Sequence, residues 1–207
     1  MSNIKIKICG QTNPAIIEHC FNVGVDQQGL IFYKPSPRNL EEDTLKLINK
    51  YFASFKDKFV GIFVNPSIKE IEEKLNIFDF DTIQLHGSED QLKINEIKKK
   101  FKKKIYKSIS PEEFQITKIE GVSHFLIEST PQQDDQPGGN NKSWQWNNFR
   151  NPLKLPFILS GGLNEKNLPE AISLTGTNFI DINSGVEEIR GEKSLSLIDS
   201  LISSIKN

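Results

Sequence analysis

Four residues with useful chemistry stand at or next to the ends of short apolar runs: Cys9 after Ile4 to Ile8, His86 after Thr82 to Leu85, Glu128 within Phe125 to Ser129, and Asp181 within Phe179 to Ile182. A thiol, an imidazole and two carboxylates on one surface would supply acid–base chemistry, one group taking a proton and another returning it. Two glycine turns accompany them, Ser160-Gly161-Gly162-Leu163 after Phe157 to Leu159 and Asn183-Ser184-Gly185-Val186 after Phe179 to Ile182. Glycine lets backbone N–H groups approach an anion with no Cβ in the way, and a helix start behind the turn favours negative charge. Asn164 is expected to cap such a helix over Glu165 to Ser173. Gly161, Gly162, Ser184 and Gly185 are therefore predicted to seat a phosphate, although either turn alone would serve equally as a tight strand-to-helix connection.

The elements that must position these groups alternate. Ile4, Ile6 and Ile8 interleave with Lys5, Lys7 and Cys9, the period of a strand, and Asn13-Pro14 supplies a cap and a first-turn proline for a helix reaching Val23. Further strands are predicted over Gly29 to Tyr33, Phe59 to Val64, Thr82 to His86, Ile105 to Ile109 and Phe125 to Ser129, before the two that precede the glycine turns. Capping boxes are expected at Asn39 with Glu42, Ser67 with Glu70, and Ser110 with Glu113, and Gln91 is expected at the third position of the fourth helix. Leu195, Ile198, Leu201, Ile202 and Ile205 form one apolar face of a closing helix. Eight strands alternating with helices make a parallel sheet the economical solution, and eight close a barrel. The competing doubly wound open sheet lacks support, because no GxGxxG follows an early strand. The expectation is one (β/α)8 TIM barrel domain over residues 1–207.

In such a barrel the active site lies at the strands' C-terminal ends. If the isoleucines of the first strand face the helices, Lys5, Lys7 and Cys9 face inward. By the same parity Gln84 with His86, Leu126 with Glu128, and Phe179 with Asp181 and Asn183 share inward faces. Asp181 could also be no more than the ion-pair partner of Lys7. The polar segment Pro131 to Ser143 reads by composition as a disordered loop, and by position as a cover for the site. The lysines from Lys98 to Lys104 read as the solvated end of a helix.

With 207 residues, a formal net charge of −1 and no basic excess, the composition favours a small-molecule partner, with no nucleic acid and no membrane surface. Cys9 and Cys20 are too few for a disulfide framework, and the N-terminus enters a strand without a signal peptide's apolar core, so a cytoplasmic location is expected. No cluster has metal-ligand spacing, so no metal is assigned.

Several blocks occur together and in order: Lys7-Ile8-Cys9-Gly10, Phe32-Tyr33-Lys34-Pro35-Ser36-Pro37-Arg38, Gly61-Ile62-Phe63-Val64-Asn65, Gln84-Leu85-His86-Gly87, Ser160-Gly161-Gly162-Leu163 and Asp181-Ile182-Asn183-Ser184-Gly185-Val186-Glu187. Across nearly its whole length the chain resembles the phosphoribosylanthranilate isomerases. The resemblance implies a (β/α)8 barrel, a phosphorylated small-molecule substrate, no cofactor, and an Amadori rearrangement in tryptophan biosynthesis by a monomer or homodimer. It implies Cys9 as general base, Arg38 as the grip on the anthranilate carboxylate, Asp181 as a further active-site acid and His86 as a substrate-lining residue. Glu128 stands where the family has an aspartate as general acid, a change of one methylene. Closure of the covering loop is expected to raise the Glu128 pKa so that it holds its proton. That loop departs as well, reading Gly138-Gly139-Asn140-Asn141 before Trp144-Gln145-Trp146.

Overall fold

Lys5–Ile8 (β1), Gln27–Phe32 (β2), Phe59–Phe63 (β3), Thr82–Leu85 (β4), Lys104–Ile109 (β5), His124–Ile127 (β6), Phe157–Leu159 (β7) and Phe179–Ile182 (β8) pair in chain order and close into a parallel barrel. The structure is a computed structural model describing residues 4–128 and 144–206. The helices are Pro14–Asn22 (α1), Glu42–Phe52 (α2), Ile68–Ile77 (α3), Gln91–Phe101 (α4), Pro111–Ile116 (α5), Leu168–Thr175 (α6) and Leu195–Lys206 (α7). A short hairpin, Glu187–Ile189 (β9) with Glu192–Lys193 (β10), lies between β8 and α7. Expectations about the segment 129–143 fall outside the described residues.

Strand parity sorts the core into layers, as a parallel sheet covered by helices requires. Ile6 and Ile8 pack outward with Cys20, Ile198 and Leu201, whereas Cys9 packs inside with Ile31, Val60, Ile62, Leu126, Ile158 and Phe179. The β1–β8 seam sets Lys7 opposite Asp181 and Ile8 opposite Ile182. Lys7, fully buried, donates from Nζ to Asp181 Oδ1 at 2.8 Å.

Helix entries follow local chemistry with exceptions. Asn13 accepts from the N–H of Ala15, and Ser67 with Glu70 and Ser110 with Glu113 form complete capping boxes. Asn39 forms no box with Glu42: the cap of α2 is Glu41, whose carboxylate takes the Asn39 amide instead. Gln91 is the first residue of α4, not the third, because Asp90 accepts from the N–H of Lys93. Asn164 does not open α6 directly. It turns the chain by accepting from Lys166 and Asn167, and the helix starts at Leu168. On α7, Ile198, Leu201 and Ile202 are buried, but Leu195 at the helix start is exposed. In the lysine run, Lys100, Lys103 and Lys104 pair with Glu72, Asp79 and Asp81.

Removing one partner of a buried ion pair strands the other charge in a dry interior. Lys7→Met is therefore expected to cost ~3–5 kcal/mol in urea unfolding, and Lys7→Met with Asp181→Leu is expected to recover most of that loss. Equal losses in the single and double variants would show that the pair does not hold the seam.

Candidate active site

Cys9 follows β1 and its thiol lies inside the barrel mouth, where Gly29 of β2 makes room: a Cβ at Gly29 would stand 3.0 Å from Cys9 Sγ. Burial pushes the thiol up to about 11, against the pull of Lys7, Lys193 and Arg38. The uncombined protein therefore holds Cys9 as a thiol at neutral pH.

Across the mouth, His86 after β4 and Glu128 after β6 meet through Nε2 and Oε1 as a close, buried ion pair. Ser108 of β5 donates to the same Glu128 oxygen at 3.1 Å, and Gln84 Nε2 lies 3.0 Å from His86 Nδ1. Burial works against charge on both partners. Their mutual attraction overrides it, holding the imidazole above its usual 6.5 and the carboxyl below the ordinary carboxylate range. The expectation of a raised Glu128 pKa is thus corrected: the sequence spacing did not show that an imidazole sits against the carboxylate. The pair carries its proton on His86.

Arg38, in the turn after β2, is 2% exposed and donates from Nε and Nη2 to the two carboxylate oxygens of Glu187, each at 2.7 Å. Asp181 is committed to Lys7, and its second oxygen lies 3.5 Å from the Ser160 hydroxyl. The glycine turns touch one another. Gly161 and Gly162 have φ of 90° and 65°, and a Cβ on Gly185 would stand 1.9 Å from the Leu163 carbonyl oxygen. Only glycine permits that approach. The backbone N–H groups of Gly161, Gly162, Ser184 and Gly185 have no acceptor among the described residues, an arrangement suited to an anion.

Residues 6–204 match the family described as N-(5'-phosphoribosyl)anthranilate (PRA) isomerase. This chain belongs to the PRA isomerase family. The N-(5'-phosphoribosyl)anthranilate isomerase of Sinorhizobium fredii is 31% identical over 209 residues, covering 97% of this chain and 92% of that one. Its counterpart in Legionella pneumophila is 33% identical over 197 residues, covering 93% and 92%. The crystal structure of the Thermus thermophilus phosphoribosyl anthranilate isomerase shares the fold, with a TM-score of 0.83 at 21% identity over 98% of each chain. Another solved PRA isomerase, with a TM-score of 0.77 at 24% identity over 98% of each chain, is in complex with reduced 1-(o-carboxyphenylamino)-1-deoxyribulose 5-phosphate.

In this PRA isomerase family member, Cys9, Arg38, His86, Glu128 and Asp181 line one cavity with Ser160 and Asn183. Its volume is about 40 Å³, far below the ~300 Å³ of a drug-sized pocket. A larger cleft of about 870 Å³ between the turns after β2 and β3 is edged by exposed Glu41, Glu70 and Glu73 and has no buried ionisable pair. Ser108, Glu187 and Lys193 escaped the sequence reading. Ser108 shares the inward parity of β5, a signal that was available. Glu187 and Lys193 lie beyond the barrel strands, where parity says nothing. Among the described residues no three His, Cys, Asp or Glu side chains converge to hold a metal, and no helix is long and apolar enough to cross a membrane.

Gly185→Ala is expected to part the two turns and weaken inorganic phosphate binding by about tenfold, the size of losing one charge-assisted hydrogen bond. Isothermal titration reads this, and an unchanged affinity would put the anion elsewhere.

Proposed function

We propose that this chain catalyses the Amadori rearrangement of N-(5'-phosphoribosyl)anthranilate to 1-(2-carboxyphenylamino)-1-deoxyribulose 5-phosphate, in the cytoplasm and without a cofactor. The observation that carries the reading is the convergence of Cys9 and the Glu128–His86 pair on one cavity beside four amides that have no acceptor among the described residues. The phosphate sits on Gly161, Gly162, Ser184 and Gly185. The anthranilate carboxylate takes the donors of Arg38 that Glu187 leaves free, a use suited to a guanidinium fork.

The reaction needs one proton delivered and one removed. Glu128 passes the proton of its pair with His86 to the ribose ring oxygen. The bond from that oxygen to C1′ breaks as the nitrogen lone pair forms C1′=N. Cys9, as thiolate, then takes the proton from C2′, and the electrons of the C–H bond become the C1′=C2′ double bond of an enolamine. Tautomerisation of the enol to the ketone, with protonation at C1′, completes the product. His86 thus serves as the store of the proton rather than as a mere wall of the site, and Asp181 keeps Lys7 in place beneath the thiol.

Cys9→Ala and Glu128→Gln, both folded by thermal melt, are each expected to lower turnover by ~10²–10⁴. Complementation of a tryptophan auxotroph lacking the isomerase tests the whole reading: no growth with a soluble wild-type chain would leave a barrel that binds without turnover.

The pH profile follows from the same two sites. Activity needs the thiolate together with the protonated pair, so kcat/KM falls toward low pH as the thiolate is lost and toward high pH as the pair gives up its proton. The bend that belongs to the pair is expected above 6.5, the ordinary histidine value, and the bend that belongs to the thiol near 11. His86→Asn should move the pair's bend toward the carboxylate range. A profile that His86→Asn leaves unchanged would detach His86 from the proton.

A further inference from the structure

Arg38, Glu187 and Lys193 form a cluster whose side chains are only 2–3% exposed. Arg38 gives two donors to Glu187, and no described residue accepts from its Nη1. Lys193 Nζ donates to Glu187 Oε1 at 2.6 Å and to the carbonyl and side-chain oxygens of Asn183 at 3.0 and 2.7 Å. That uses all the donors an ammonium has, so Lys193 has none left for a ligand. The N–H of Gly191, at the hairpin tip, donates to Glu187 Oε2 at 3.1 Å. A Cβ on Gly191 would stand 3.2 Å from the Pro37 carbonyl oxygen, so the β9–β10 hairpin is seated against the turn that carries Arg38.

Two consequences follow. Two cations share a single carboxylate, which leaves a buried positive charge that an anionic ligand would neutralise. Lys193 also grips Asn183 twice, and Asn183 leads straight into the Ser184–Val186 turn. The guanidinium and the second glycine turn are therefore parts of one hydrogen-bonded unit.

We propose that Glu187 and Lys193 are positioning residues of a clamp that holds the free edge of Arg38 at a set separation from the Asn183–Val186 turn, so that the site selects ligands bearing a carboxylate and a phosphate at matching spacing. This rests on the isomerase reading above and adds what determines its specificity. Neither residue touches the reacting atoms.

The test separates geometry from charge. Glu187→Gln makes the cluster more positive, so electrostatic attraction alone would tighten binding of the substrate. The clamp requires the opposite. KM for N-(5'-phosphoribosyl)anthranilate is expected to rise about tenfold, with kcat within about threefold, as for a lost charge-assisted contact. The inhibition constant of inorganic phosphate should stay put in Glu187→Gln and rise in Lys193→Met, which frees Asn183. The double variant Glu187→Gln with Lys193→Met restores the original net charge but not the clamp, and its KM should remain raised. A folded Glu187→Gln with unchanged or lower KM would overturn the proposal. If Glu187→Gln does not fold, Lys193→Met decides, and an unchanged phosphate inhibition constant there overturns it equally. A wild-type protein without turnover fails the isomerase reading alone. Anthranilate titration of the same variants then carries the test, with about tenfold weaker binding expected in Glu187→Gln and equal binding refuting the clamp.

Discussion

Lys7 and Asp181, paired at 2.8 Å across the seam where the first and last strands meet, are the interaction on which the rest of the site depends. A one-residue slip in either strand would turn every side chain to the other face. Lys7 would then lie among the isoleucines that pack on α1 and α7, and Asp181 would follow or be stranded. No such arrangement satisfies either charge away from water. The register that keeps the pair together also brings Cys9, two residues beyond Lys7, and Asn183, two beyond Asp181, to the inner rim. A polar contact in the barrel thus orients the thiol above it.

Charge is distributed unevenly around that rim. The turn after β2 and the hairpin after β8 bring Arg38 and Lys193 together on Glu187, and these cations oppose the burial that would otherwise raise the Cys9 thiol further. Burial still prevails, so the thiol is reluctant to ionise. The His86–Glu128 pair lies at the ends of β4 and β6. In the proposed reaction this separation keeps the group that gives a proton to the ring oxygen apart from the group that takes one from C2′.

The glutamate at position 128 has a geometric rationale. Its partner His86 belongs to β4, and β5 lies between, so the two side chains must span about 9–10 Å, twice the spacing of neighbouring strands. The length of the glutamate side chain lets the carboxylate make contact with the imidazole and accept the Ser108 hydroxyl on the way. The charged pair with His86 accounts for the lowered Glu128 carboxyl.

Much of this was legible in the chain itself, because the period of two is a local property: the inward set Lys7, Cys9, Gln84, His86, Leu126, Glu128, Phe179 and Asp181 follows from counting along each strand. The two glycine turns, and the capping boxes at Ser67 and Ser110, are local too. The misplacements at Asn39, Asn164 and Gln91 arose where several polar residues competed for one cap, and the bonds that settled them, Asn39 to Glu41, Lys93 to Asp90, and Lys166 and Asn167 to Asn164, are themselves local. What sequence could not determine is pairing between elements. That Glu128 meets His86 rather than standing alone as a protonated acid depends on which strands flank β5. That Arg38 is held by Glu187, 149 residues away, depends on the hairpin folding back over the turn after β2. Such contacts have no spacing signal, since their partners are brought together by closure of the barrel and not by the repeat of any one strand or helix.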